Sequence, residues 1–88
     1  MYVIIAYDVS IERVNKVKSY LRTQLTWVQN SLFEGEISEA RDMRIRKTLS
    51  ELIDAERDTI TIYTLQNKNN LEREDLGVTK GNPEERVI

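Results

Sequence analysis

Asp8 closes an apolar run, Tyr2-Val3-Ile4-Ile5-Ala6-Tyr7, that reads as a buried strand. A carboxylate there is expensive unless something uses it. Strand ends in sheets covered by helices are where ligand and metal groups tend to be displayed, so Asp8 points to a hard-cation site or an acid/base group. The plainer alternative is an Asp that caps the next helix, a task for which Ser10 is the better candidate. The chain has neither histidine nor cysteine. Any catalysis must therefore rest on carboxylates, hydroxyls, lysine, arginine or a metal held by oxygen, which means Mg²⁺ or Mn²⁺ rather than Zn²⁺. Arg13, Lys16 and Tyr20, at i, i+3 and i+7, fall in one sector of a helix, with Lys18 and Arg22 beside the apolar stripe. Such a row can follow a phosphate backbone; the alternative is ordinary solubilising charge on an exposed face.

Composition limits what these groups can serve. Against 13 Lys and Arg stand 15 Asp and Glu, a formal net charge of −2, so the whole molecule has no field that attracts nucleic acid and only a local patch can do so. The 88 residues make one small domain, which buries about 60 to 65 per cent of its unfolded surface and gains from a partner. Without cysteine there is no disulfide framework, and intracellular residence is the default. No apolar run approaches the roughly 18 residues that span a bilayer. The first residues read as a strand rather than a signal peptide, so the expectation is a soluble cytoplasmic protein with no membrane partner. A charged content of 32% would suit a heat-adapted protein.

The elements that must position Asp8 follow from periodicity. Ile11, Val14, Val17, Leu21 and Leu25 predict an amphipathic helix of about four turns. Residues 27–37, Trp27 to Ile37, are rich in aromatic and β-branched residues and predict one bent strand or two short ones. Ser38 offers an N-cap with Glu39 in the first turn, and Met43, Ile45, Leu49, Leu52 and Ile53 supply the apolar face of a second helix whose other faces carry Arg41, Arg44, Arg46 and Lys47. Asp58 and Thr59 open a strand in which Ile60 and Ile62 oppose Thr61 and Tyr63. The cluster Asn67-Lys68-Asn69-Asn70 turns it into a second strand, Leu71 to Val78, that Gly77 ends.

Residues 1–78 thus predict a two-layer α+β sandwich, an antiparallel sheet with both helices on one face, for which a ferredoxin-like fold is the natural candidate. The uncovered sheet face is partly apolar, and a symmetric homodimer would cover it. Its two-fold axis would bring two Asp8 carboxylates toward one cation or phosphate. Residues 79–88 form a C-terminal tail with a breaker at Gly81-Asn82-Pro83 and an apolar close at Val87-Ile88. The tail can add an edge strand to its own sheet or to the partner protomer, the alternative being disorder. Glu72, Glu74 and Asp75 are acidic residues on an edge strand, where charge discourages aggregation; the alternative is a further metal site.

Three segments in register, Met1-Tyr2-Val3-Ile4-Ile5-Ala6-Tyr7-Asp8-Val9, Val28-Gln29-Asn30-Ser31-Leu32-Phe33-Glu34-Gly35 and Leu71-Glu72-Arg73-Glu74-Asp75-Leu76-Gly77, resemble the Cas-two family of CRISPR-associated proteins in order, spacing and total length. The resemblance implies a ferredoxin-like homodimer that works with the Cas-one integrase to capture foreign DNA duplex as new spacers. It also implies a possible metal-dependent endonuclease acting on single-stranded RNA or double-stranded DNA, with Asp8 as catalytic residue and Mg²⁺ ligand. Tyr7, Ser31 and Phe33 match the family pattern, whereas Trp27 stands where many relatives have arginine, so a phosphate contact from that position does not carry over and Trp27 is core or a stacking surface. On this reading paired Asp8 carboxylates hold the metal, Arg13 and Lys16 position the backbone, with Tyr7 at the nucleic-acid side, and Ser31 orients water. Phe33 is core or dimer interface. A non-catalytic dimeric scaffold and a toxin-like small ribonuclease of the same fold are the alternatives.

Overall fold

The computed structural model describes residues 1–67 and 70–78. In chain order they form β1 (Tyr2–Asp8), α1 (Ile11–Gln24), β2 (Thr26–Gln29), β3 (Leu32–Glu36), α2 (Glu39–Leu52), β4 (Thr59–Asn67) and β5 (Asn70–Gly77). The strands make one sheet in the order β2-β3-β1-β4-β5, antiparallel at every pairing. This is the ferredoxin-like arrangement with one strand added at the β4 edge. β1 lies at the centre, so the strand that ends in Asp8 is held on both sides.

Alternation sorts β1 into two faces. Val3, Ile5 and Tyr7 are buried, Tyr2, Ile4 and Ala6 are half-buried, and Asp8 is exposed. Ile5 pairs with Phe33 on one side and Ile62 on the other, which places these three on the same face. There they pack with Val17 and Leu21 of α1 and Ile45 and Leu49 of α2 in a single core. Both helices therefore cover one face, as the pattern predicts, and each buried aliphatic side chain contributes on the order of 1.5–3 kcal/mol. The opposite face carries Ile4, Ala6, Leu32, Tyr63 and Leu65, half-buried and uncovered within one chain.

The segment between the helices is two strands, joined at Asn30 and Ser31. Asn30 takes a left-handed backbone (φ 43°), a conformation its side chain tolerates, and the Trp27 indole N–H donates to its carbonyl oxygen at 3.0 Å. Trp27 is 52% exposed, so it is not core. Ser38 caps α2, its Oγ accepting the Arg41 N–H at 3.2 Å. Met43 departs from the expected apolar face and is 71% exposed. It stands two positions before Ile45, about 200° round the helix, on the side away from the sheet. β4 and β5 form the expected hairpin, with Asn67 opposite Asn70; Lys68 and Asn69 lie outside the described residues. Gly77 ends β5 with φ +94°, and a side chain there would run into the Asp58 carbonyl. The tail, residues 79–88, with the edge strand expected of it, also lies outside the described residues.

Candidate functional site around Asp8

Asp8 pairs with Thr59 at the end of the β1–β4 ladder, and its exposed side chain follows Ile4 and Ala6 onto the uncovered face. Tyr7 points the other way. Its ring is buried and stacks on Phe33, with centroids 6.2 Å apart and planes at 28°, and burial raises the phenol pKa against the opposing charge of Arg22. Adjacent in sequence, the two residues serve opposite sides of the sheet, so Tyr7 does not stand beside Asp8 as a nucleic-acid contact. Phe33 is fully buried and belongs to the core rather than to an exposed surface. Ser31 is close by: its carbonyl accepts the Tyr7 N–H at 3.1 Å, which extends the β1–β3 pairing to the strand end.

Past Asp8 the chain turns into α1 at Ser10, whose side chain makes no cap bond. The Ser10 N–H donates instead to Asp58 Oδ1 at 3.0 Å. Asp58, in the residue just before β4, is 0% exposed. Its Oδ2 accepts Arg13 Nε at 2.5 Å and the Asp54 N–H at 2.9 Å, and Oδ1 also accepts Arg13 Nη2 at 3.1 Å. The Arg13 guanidinium, followed by the backbone amides, holds the Asp58 carboxyl well below the usual carboxylate range, although burial alone would raise it. Arg13 in turn is raised, chiefly by its hydrogen bond to Asp58.

The basic row on α1 is thereby divided. Arg13 folds onto Asp58 with its side chain 24% exposed, Tyr20 packs against the core, and of the three only Lys16 is exposed. Sequence reasoning saw Asp58 merely as the start of a strand. The one local signal was a carboxylate directly before an alternating apolar stretch, and nothing nearby announced its partners.

Two acidic residues of β5, Glu74 and Asp75, are matched to cations. Arg46 on α2 reaches Glu74 Oε2 at 2.8 Å and Asp42 Oδ2 at 3.0 Å, while Arg73 lies 3.4 Å from Asp75 and over the Tyr63 ring at 5.6 Å. Among the described residues no group of three or more His, Cys, Asp or Glu can hold a metal ion, and no enclosed pocket forms. A ligand at Asp8 meets open surface.

A family model described as CRISPR associated protein Cas2 matches residues 1–73. The chain belongs to the Cas2 family. It is 51% identical to the CRISPR-associated endoribonuclease Cas2 of Thermococcus kodakarensis over 88 residues, covering 100% of both chains. It is also 51% identical over 80 residues to the endoribonuclease Cas2 of Methanothermobacter thermautotrophicus, covering 91% of this chain and 88% of that one. A crystal structure described as cas2 superposes with a TM-score of 0.74 at 42% identity, covering 94% and 90% of the two chains. That of Streptococcus pyogenes Cas2 at pH 6.5 gives 0.68 at 33% identity, covering 78% and 89%. The three segments read from sequence thus pointed to the right family.

In this Cas2 chain the donor type of Asp8 suits a hard cation, but among the described residues of one protomer Asp8 belongs to no set of three or more such ligands. A Mg²⁺ ion wants about six oxygens. Waters, phosphate oxygens and the Asp8 of a second copy would have to supply the others.

Proposed function

We propose that this Cas2-family protein acts as a symmetric homodimer that cleaves phosphodiester bonds in single-stranded RNA, with Asp8 as the essential carboxylate. The observation that carries the reading is the position of Asp8: exposed, at the end of the central strand, and bordering an apolar face that one chain leaves uncovered. A second copy packed on that face would shelter Ile4, Ala6, Tyr63 and Leu65 and draw the two Asp8 side chains together. The relatives named endoribonucleases supply the substrate class.

A bound Mg²⁺ or Mn²⁺ would supply charge neutralisation at the phosphate and a more acidic water. The chain's own part is to present the paired carboxylates as oxygen donors, to accept a proton from water at Asp8, and to hold the backbone near Lys16. No helix among the described residues is long and apolar enough to cross a membrane.

A second reading is favoured by the lack of a multi-carboxylate cluster among the described residues. In it the dimer is a non-catalytic scaffold that holds a DNA duplex for the Cas-one integrase during spacer acquisition. Cleavage of labelled single-stranded RNA and double-stranded DNA by wild type and Asp8→Asn, with Mg²⁺, Mn²⁺ or EDTA, separates the two. Both proteins are first shown to be folded dimers by light scattering. The nuclease reading expects metal-dependent RNA cleavage that falls at least about 100-fold in Asp8→Asn. Equal cleavage by both proteins, or none by either, overturns it and leaves the scaffold.

A further inference from the structure

We propose that Asp58 is a positioning residue for Asp8, gripping the turn that follows Asp8 through the Ser10 amide and the Arg13 guanidinium. The inference about catalysis rests on the nuclease reading; the structural part does not. A fully buried carboxylate is tolerated only when its lone pairs are filled, and here they are, by the Ser10 and Asp54 amides and by two guanidinium nitrogens. What matters is where those donors come from. Ser10 is two residues past Asp8, Arg13 is in the first turn of α1, and Asp54 is in the connection from α2 to β4.

The sheet already sets Asp8 opposite Thr59, so Asp58 stands one residue away from the position that faces it. With the strand end paired to β4 and the turn after it drawn onto the residue that precedes β4, the Asp8 backbone has little freedom to swing. Ordinary helix capping does not account for this. Ser10 carries a hydroxyl able to cap α1, yet no cap bond forms, and its backbone N–H is spent on Asp58. The main chain of Asp58 adds a further tie, since its carbonyl accepts the Val78 N–H at 2.9 Å and the neighbouring Thr59 hydroxyl donates to the Val78 carbonyl. One residue thus joins the start of α1, the start of β4 and the end of β5.

The proposal conflicts with a phosphate-binding role for Arg13, and the two make opposite forecasts. If Arg13 positions, Asp58→Asn and Arg13→Gln damage the same step. If Arg13 grips phosphate, Asp58→Asn releases it and strengthens RNA binding while Arg13→Gln weakens it. The experiment measures kcat and KM for RNA cleavage in both variants, and amide hydrogen exchange by NMR at Val9 and Ser10 against Ile5 and Ile62 in the sheet. Expected are a fall in kcat of about tenfold or more in each variant with KM within about twofold, and exchange at Ser10 accelerated at least about tenfold beyond that at Ile5 and Ile62. Arg13→Lys, which keeps the charge but not the fork, should recover part of both losses.

Uniform acceleration of exchange across the sheet, an unchanged Ser10, or KM values that move in opposite directions would each overturn the proposal. Should wild type fail to cut RNA, the nuclease reading falls on its own, and the exchange pattern still decides whether Asp58 fixes the turn after Asp8.

Discussion

The two helices are the same length and both follow a serine, yet they begin in different ways. α2 starts with a self-contained cap, the Ser38 hydroxyl receiving the Arg41 N–H three residues on. α1 starts under the control of a carboxylate 48 residues further along the chain, and its own serine hydroxyl does not cap. The arginines differ in the same sense. Arg46 of α2 spans exposed Glu74 and half-buried Asp42, while Arg13 of α1 closes on a carboxylate with no exposure at all. A helix start that only has to hold itself can be built locally; the start beside Asp8 is fixed by tertiary structure.

Substitutions can break this contrast in order of severity. Asp58→Ala strands Arg13, the Ser10 amide and the Asp54 amide at once, and chemical denaturation should show a loss of about 3 kcal/mol. Acidification should erode the same interaction. The folded pKa of Asp58 lies below its unfolded value, so its contribution is fully present above the ordinary carboxylate range and is lost as the pH falls below about 4. Thermal melts between pH 2 and 6, taken on wild type and Asp58→Asn, should therefore converge toward the acid end. Persistence of the full gap there would mean that packing rather than charge makes the difference. Ser38→Ala should cost about 1 kcal/mol in urea, the usual value for a lost cap. Ser10→Ala should cost less than Ser38→Ala, because its structural contact is made by the backbone; the reverse order would erase the distinction between the two starts.

The same contrast explains what could be read in the sequence. Alternation in β1, the Ser38 cap, the asparagine turn and Gly77 are signals carried within a few residues of the features they create, and the strands, helices and topology followed from them. Residue type alone would put Met43 on the buried side, but its spacing of two from Ile45 excludes it. The family resemblance puts Tyr7 with Asp8 at the nucleic-acid side, yet alternation alone assigns them to opposite faces. Asp58 is a different case. Its donors Ser10 and Arg13 lie 48 and 45 residues away, and no local pattern distinguishes a carboxylate that will be buried from one that caps a strand in solvent. For Arg13, helical spacing gave the correct sector but could not show that the side chain would be held down within it.

Because β1 is only seven residues long and central, its pleat imposes a genetic constraint. Insertion or deletion of one codon between Ile5 and Asp8 would do more than change a length. It would exchange the two sides, pressing the carboxylate toward the core beneath the helices and turning an aromatic ring out where the acid had been. Such a change would damage the site and the core in one event, with no intermediate that spares either. Point substitutions can adjust the two sides of this strand independently, but its residue count belongs to both, and new variants of the site have to be reached by exchange of side chains rather than by a shift of frame along the strand.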